Sequence, residues 1–367
     1  MIYLDHAATT PTDPRVAEAM ARCMTQAWQN PSAAYSAAGA ARRELRLARQ
    51  AVSALLNAPP EALVFTSGGT EANNQALLAA RGGHAVLSAI EHASVLNAAR
   101  ALCREVTLVQ PDASGRVSPD DVAAALRPDT RLVSVQLANN ETGVLQPVAG
   151  IGAVCRERRV PFHCDAVQAF GHIPVDVRAL NVDMLSLSGH KLYGPRGVGA
   201  LFVRQGLPLP PLLRGGGQER GLRAGTENLP AIAGLGEAAR LAGEDLAARA
   251  TREAALMADF LRMVRRRVPA CRPLGEGAAR LPGIVALLLP GLPSEAAIAR
   301  LDLLGVQVSG GAACASARRA PSHVYRAMGL SEADAACVLR VSIGRHTTAR
   351  ELSLAAEAIQ RVWNEPR

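Results

Sequence analysis

Short apolar, β-branched runs alternate with amphipathic stretches from about residue 62 to 203, the pattern of a mainly parallel sheet with covering helices. The runs predict strands over residues 62–66, 85–89, 106–109, 132–137, 161–165, 184–188 and 199–203. Between them the spacing predicts helices over 71–81, 94–103, 120–126 and 151–158. Ser118, with Asp121 three residues on, resembles a capping box that starts the third of these helices. A glycine-rich stretch over 213–230 then breaks the alternation, and an Ala/Arg/Leu segment follows that reads as one long helix over 231–268. Beyond it come strands at 284–289, 306–309 and 339–343 and helices at 294–304, 322–328 and 348–363. The pattern predicts an α/β architecture of two units. The larger covers residues 16–245, and a smaller α+β unit joins 1–15 to 246–367. There is no internal repeat and no low-complexity tail.

Length supports that division, because 367 residues are too many for one small domain and enough for two units around a large buried core. No run of about 18 apolar residues occurs. The opening MIYLDHAATT lacks a basic segment followed by an apolar one. A cytoplasmic protein without a membrane role is therefore expected. Seven cysteines, an odd count with no CxxC pair, argue against a disulfide framework and a tetrathiolate metal site. Free thiols and no metal are expected. A formal charge of +8 invites a nucleic-acid reading, but the arginines are scattered and aromatics make up only 3%. Nucleic acid is excluded as the main partner, and the basic surface suits acidic protein partners instead. Within that charge count, 39 of the 40 basic residues are arginine and one, Lys191, is lysine. Arginine stays protonated and cannot act as an amine nucleophile, whereas lysine can form a Schiff base.

Lys191 ends Ser186-Leu-Ser-Gly-His-Lys191, just past a predicted strand, at the edge where open α/β sheets bind ligands. Pro195 and Gly197 then force a turn. A lysine in that setting suits an aldehyde cofactor held as an imine. Asp165 leaves the sheet at the same edge, where a carboxylate keeps a pyridinium nitrogen protonated; read alone it is as well a helix cap. Thr66-Ser-Gly-Gly-Thr-Glu71 lies between strand and helix and offers backbone N–H groups to a phosphate. His92 follows another strand, where its ring can stack on a pyridine or serve only the fold. Asn139-Asn140-Glu141-Thr142-Gly143 sits similarly after the 132–137 strand. Neither GxGxxG nor a Walker A motif occurs.

Together with Leu4-Asp-His-Ala-Ala-Thr-Thr-Pro11, Asn30-Pro31-Ser32 and the stretch from Gly215 to Thr226, these motifs keep order and spacing over almost the whole chain. They resemble the NifS/IscS group of cysteine desulfurases, pyridoxal-phosphate enzymes of type I fold in the class-V aminotransferase family. The resemblance implies that Lys191 holds pyridoxal 5'-phosphate, His92 stacks on its ring and assists proton transfer, Asp165 pairs with the ring nitrogen and Gln168 contacts the ring hydroxyl. Gly69, Thr70, Ser188 and His190 would hold the phosphate, with Asn140 beside the cofactor. Thr226 would reach the cofactor of the other subunit of a homodimer. Asn30, Asn140 and Arg340 would bind the substrate carboxylate, a role in which guanidinium grips by a bidentate fork.

Cys314, in the small-residue stretch Val308-Ser-Gly-Gly-Ala-Ala-Cys-Ala-Ser-Ala317, looks like the nucleophile that takes sulfur as a persulfide. Its spacing to Pro321-Ser322 resembles the longer loop of members that serve several acceptors. The reaction implied is L-cysteine to L-alanine, with sulfur passed to an acceptor protein such as an iron-sulfur scaffold. Two hydroxyls usual in the group's cysteine loop are missing here, which bears on rate. The chain ends soon after Trp363, so the scaffold-docking extension of housekeeping members is expected to be absent. Nitrogen fixation, tRNA thiolation and general sulfur donation all fit. Rival readings are a selenocysteine lyase or aminotransferase on the same platform and, outside enzymes, a sulfur-carrier or regulatory protein.

Overall fold

The structure, a computed structural model, describes residues 1–311 and 321–365. Its centre is a seven-stranded sheet of β2 (Leu63–Thr66), β3 (His84–Ser88), β4 (Glu105–Val109), β5 (Thr130–Ser134), β6 (Phe162–Asp165), β7 (Met184–Ser188) and β8 (Gly199–Val203). The spatial order is β2-β8-β7-β6-β5-β3-β4, with β8 antiparallel to both neighbours and the other pairs parallel. Strands β2, β3, β6, β7 and β8 are buried throughout, which is why they read as continuous apolar runs. The predicted strand to residue 137 stops as a ladder at Ser134, yet Val135 and Leu137 still donate to His163 O and Asp165 O. Gly199 has to be glycine: a Cβ there would stand 2.5 Å from Leu187 O and 2.8 Å from Gly68 Cα.

Helices α3 (Gly69–Leu77), α4 (Ala93–Leu102), α5 (Pro119–Ala125) and α6 (Val148–Arg158) follow β2, β3, β4 and β5. Helix α3 begins two residues before its predicted start and tightens at its end into a 3₁₀ turn, Leu78–Ala80. Ser118 does cap α5, but it accepts from Asp120 N, so the cap holds without the reciprocal box. Two long helices lie outside the predicted ones, α1 (Pro14–Gln26) and α2 (Gly39–Leu55). The signal for α1 was present in Asp13, whose side chain accepts from Arg15 N, with Pro14 at the first helical position. Both pack on α7 (Leu229–Arg267). The packing is close enough that a Cβ on Gly236 would meet Ala48 Cα at 2.5 Å.

Helix α7 serves two cores. Ala231 to Ala242 face the core of the large sheet, while Met257, Phe260 and Val264 belong to a second core. That second core includes β10 (Ile284–Leu288), α8 (Ser294–Leu303), β12 (Val338–Ser342) and α9 (Ala349–Asn364). Strand β10 pairs antiparallel with β12 and with β9 (Arg272–Pro273). The first strand, β1 (Ile2–Tyr3), joins this region by pairing parallel with β11 (Val306–Gln307). The segment after it therefore crosses from the second core to the edge of the large sheet.

Candidate functional site

The parallel strands of the large sheet all end at one edge, and a cleft of about 200 Å³ opens there. Its walls carry Gly69, Thr70, His92, Asn140, Asp165, Gln168, Ser188, His190, Lys191 and Arg340. Ten residues singled out in the sequence thus converge, contributed by four strand ends, the N-terminus of α3 and β12. Asn30 and Thr226 do not line it; both are exposed, and Asn30 Oδ1 accepts from Ser32 N in a turn. Cys314 lies outside the described residues.

Lys191 closes a single 3₁₀ turn, Gly189–Lys191, directly after β7. Its Nζ donates to Ala7 O at 2.5 Å and Ala8 O at 2.8 Å, while its own carbonyl meets His172 Nε2 at 2.8 Å. Since a carbonyl only accepts, His172 carries its proton on Nε2. Burial pushes His172 down to about 4, so the ring stays neutral and keeps that donor role. Gln168 Nε2 also donates to Ala7 O, at 2.8 Å. His190 stands beside Thr9 Oγ1 at 3.2 Å and is pushed down to about 4 by burial, then by Lys191 and Arg196.

Asp165 accepts from Val167 N at 2.9 Å through Oδ1 and from Asn73 Nδ2 at 2.7 Å through Oδ2. Asn73 Nδ2 donates as well to Ser94 Oγ, 2.9 Å away, and Ser94 Oγ lies 2.7 Å from His92 Nδ1. Ser94 N donates to the same Nδ1 at 3.1 Å, making His92 the cap of α4. With Nδ1 an acceptor, the neutral ring bears its proton on Nε2. His92 is pushed below the usual histidine value, first by burial and opposed by Asp165, with Lys191 and His323 also lowering it. An unbroken hydrogen-bonded path therefore joins Asp165 to His92. Its two middle members, Asn73 and Ser94, were missed in the sequence. The available signal was the spacing: Asn73 follows Gly69 by one helical turn and so shares its face, and Ser94 stands two residues after His92.

Helix α3 starts at Gly69 with no side-chain cap, leaving its first N–H groups to face the cleft beside Ser188. Gly69 packs so closely on Val167 that a Cβ would come within 2.7 Å of Val167 Cγ2. Glu71 ties this turn to the glycine-rich stretch, accepting from Ser67 N at 2.8 Å and from Arg223 Nε at 3.0 Å. Glu219 fastens the same stretch to β2 by pairing with the Arg49 guanidinium and accepting from Phe65 N. Across the cleft, Arg340 is almost wholly buried, donating to Asn140 O at 2.9 Å and Asp5 Oδ1 at 2.7 Å. Its Nε is buried without a partner. Glu91, beside His92, is raised well above the usual carboxylate value by burial, with its Oε1 accepting from Gln136 N at 2.8 Å.

Among the described residues no group of histidine, cysteine, aspartate and glutamate side chains could hold a metal ion. The six described cysteines are free, five of them buried, and none faces the cleft. No described helix is long and apolar enough to cross a membrane.

Fold and site together define a large α/β protein with an amine, a carboxylate and an uncapped helix N-terminus gathered at one sheet edge. Comparison with known proteins makes the assignment specific. Residues 2–354 match the family Aminotransferase class-V. A cysteine desulfurase IscS from Anaeromyxobacter dehalogenans is 44% identical, over 96% of this chain and 90% of its own length. The crystal structure of a NifS-like protein from Rickettsia africae superposes with a TM-score of 0.92 at 32% identity, covering all of both chains. A structure described as SspA in complex with cysteine gives a TM-score of 0.83 at 37% identity over 94% of this chain and 99% of that one. The chain belongs to the class-V aminotransferase family, in its NifS/IscS branch, and has the type I fold of pyridoxal-phosphate enzymes.

Proposed function

We propose that this protein is a pyridoxal-phosphate-dependent cysteine desulfurase, converting L-cysteine to L-alanine and passing the sulfur to an acceptor. The observation that carries the reading is the place of the chain's one lysine, in a cleft that also holds Asp165, His92 and Arg340. The relatives bear the name cysteine desulfurase, and one neighbouring structure is described as a complex with cysteine.

The cleft fits pyridoxal phosphate on its own chemistry. It offers an amine for the aldehyde, a carboxylate for the ring nitrogen, and helix N–H groups with Thr70, Ser188 and His190 for the phosphate. Bound there, the cofactor supplies an electron sink for the pair left when a Cα proton departs. The remaining work falls to the chain. Arg340 holds the substrate carboxylate through N–H groups that Asn140 O and Asp5 leave over, with Asn140 alongside. Lys191 Nζ, as an unprotonated amine, would take up the Cα proton. His92, held neutral by burial, moves a proton at Nε2. Gln168 and Asn73 keep Ala7 and Asp165 in place. The Cys314 thiolate would attack the substrate sulfur, forming an S–S bond as the substrate Cβ–S bond breaks. The electron pair of the Cβ–S bond stays on Cβ, which takes up a proton on the way to alanine, and the sulfur waits on the enzyme as a persulfide before transfer.

Asn30 and Thr226, exposed on the single chain, suit a homodimer in which Thr226 reaches the other subunit's cofactor. The acceptor belongs to the same reading as a transiently bound protein such as an iron-sulfur scaffold. So does the division into residues 16–245 and 1–15 with 246–367, because α7 leaves one core after Ala242 and enters the other at Met257.

The test is incubation with L-cysteine and a reductant, measuring alanine and sulfide in parallel. Equal yields are expected. Cys314→Ala is expected to keep the bound cofactor's colour and lose sulfide release, and Lys191→Ala to lose both. Undiminished sulfide from Cys314→Ala would sink the persulfide step.

A further inference from the structure

The segment from Asp5 to Thr10 touches both ends of the proposed chemistry. Ala7 O and Ala8 O take Lys191 Nζ. Thr10 Oγ1 donates to His190 O, and Thr9 Oγ1 meets His190 Nδ1. At the other end of the segment Asp5 Oδ1 accepts from Arg340 Nη2 at 2.7 Å. The segment is fixed on β12 by Ala7 N donating to Ser342 Oγ and by Ser342 N donating to Leu4 O. Arg340 is therefore clamped at two points, Nη1 on Asn140 O and Nη2 on Asp5. Its buried Nε has no protein partner. A guanidinium has five N–H groups in a rigid fork, so two clamped donors leave three, Nε among them, beside a cleft that Arg340 lines.

We infer that Asp5 is a positioning residue for substrate recognition: its carboxylate aims the Arg340 guanidinium so that the unpartnered Nε and its neighbouring N–H groups grip the α-carboxylate of the amino-acid substrate. The inference rests on the reading of Arg340 as the carboxylate-binding group. Asp5 is absent from the residues that line the cleft and acts only through Arg340. Its removal has two opposed effects. Loss of the clamp lets the fork turn away, which weakens carboxylate binding. Loss of the anion also relieves repulsion toward an incoming carboxylate, which strengthens it. The sign of the change decides which role Asp5 plays.

The experiment uses the holoenzyme and two probes, L-alanine and L-alaninamide, which differ only in the carboxylate. Dissociation constants come from the change each probe causes in the bound cofactor's absorption, so turnover is not needed. The parent is expected to prefer alanine at least tenfold. Asp5→Ala is expected to cut that preference about tenfold. Asp5→Asn, which keeps an acceptor at Oδ1, holds it at or above the parent value. In an Arg340→Gln background, Asp5→Ala adds less than a twofold change. A preference unchanged or raised in Asp5→Ala overturns the inference, as does an equal loss in the Arg340→Gln background, which marks a merely structural role. If Asp5→Ala fails to fold, Asp5→Ser carries the same test, because its hydroxyl is too short to reach Arg340. Absence of any alanine preference in the parent instead refutes the carboxylate role of Arg340, and absence of alanine production from cysteine refutes the desulfurase reading.

Discussion

Replacing Asn73 with alanine cuts the path between Asp165 and His92 at its centre. The side chain is buried, and its one amide nitrogen donates to Asp165 Oδ2 at 2.7 Å and to Ser94 Oγ at 2.9 Å. A hydrogen bond to a charged group contributes about 1.5–3 kcal/mol and one between neutral groups about 1 kcal/mol. Against this, Asn73 Oδ1 is buried without a partner, and removing it recovers about 1–2 kcal/mol of desolvation. The balance is about 2 kcal/mol, which corresponds to about thirtyfold in an equilibrium constant. The loss falls on the anionic form of Asp165, which keeps Val167 N but no second donor, and that anion is what a protonated ring nitrogen needs. Titrating the apoprotein with pyridoxal phosphate, followed by the growth of the bound cofactor's absorption band, is expected to give a dissociation constant about thirtyfold above the parent's. A value within threefold of the parent, in a variant with unchanged circular dichroism, would refute the claim that Asn73 holds the charge of Asp165.

Two further predictions concern pH and have opposite signs. Glu253 is buried on α7 with Oε1 unpartnered, and burial pushes it up to about 7. The fold then holds a proton that the unfolded chain releases above about 4.5, so this group costs stability as pH rises toward 7. Glu253→Gln is expected to gain in melting temperature over the parent between pH 5 and 8, and a pH-independent difference would show the carboxyl to be ionised throughout. His163 bridges Ser134 Oγ and Ser186 Oγ inside the sheet and is pushed down to about 4 by burial. Here the unfolded chain binds the proton first, so stability is lost as pH falls from about 6.5 toward 4. His163→Gln is expected to flatten that acid limb in denaturant titrations, and a limb as steep as the parent's counts against the assignment.

The sheet was legible in the sequence because its strands are buried on both faces and stand as short apolar runs between turn residues. Met184–Ser188 and Gly199–Val203 match their expected bounds, and the other five strands lie within a few residues of theirs. Helices α1 and α2 were missed because their buried faces carry few large apolar side chains: Val16, Ala19 and Cys23 on α1, and Ala41, Ala48, Val52 and Ser53 on α2. At the site, residues with distinctive chemistry stood out: one lysine, one strand-end aspartate, and one histidine after a strand. What stayed hidden were contacts made by ordinary groups across long sequence separation. Ala7 and Ala8 act through carbonyls that every residue has. Asp5 meets Arg340 across 335 positions. Asn73 looked like one of two adjacent asparagines on a helix, and only the fold decides which faces Asp165 and which reaches back to Thr70 O.

Confining lysine to position 191 has a practical consequence. Acylating reagents that normally label dozens of surface amines find one ε-amine here, and its Nζ is already engaged by Ala7 O and Ala8 O. Apart from the α-amino terminus, the extent of amine labelling therefore reads out the state of a single side chain in the cleft. A protease specific for lysine meets one cleavable bond, after Lys191, and would divide the chain at the floor of the cleft. Amine-directed cross-linkers, in contrast, have almost no purchase on the outer surface, so contacts with any other protein have to be captured through carboxylates or thiols.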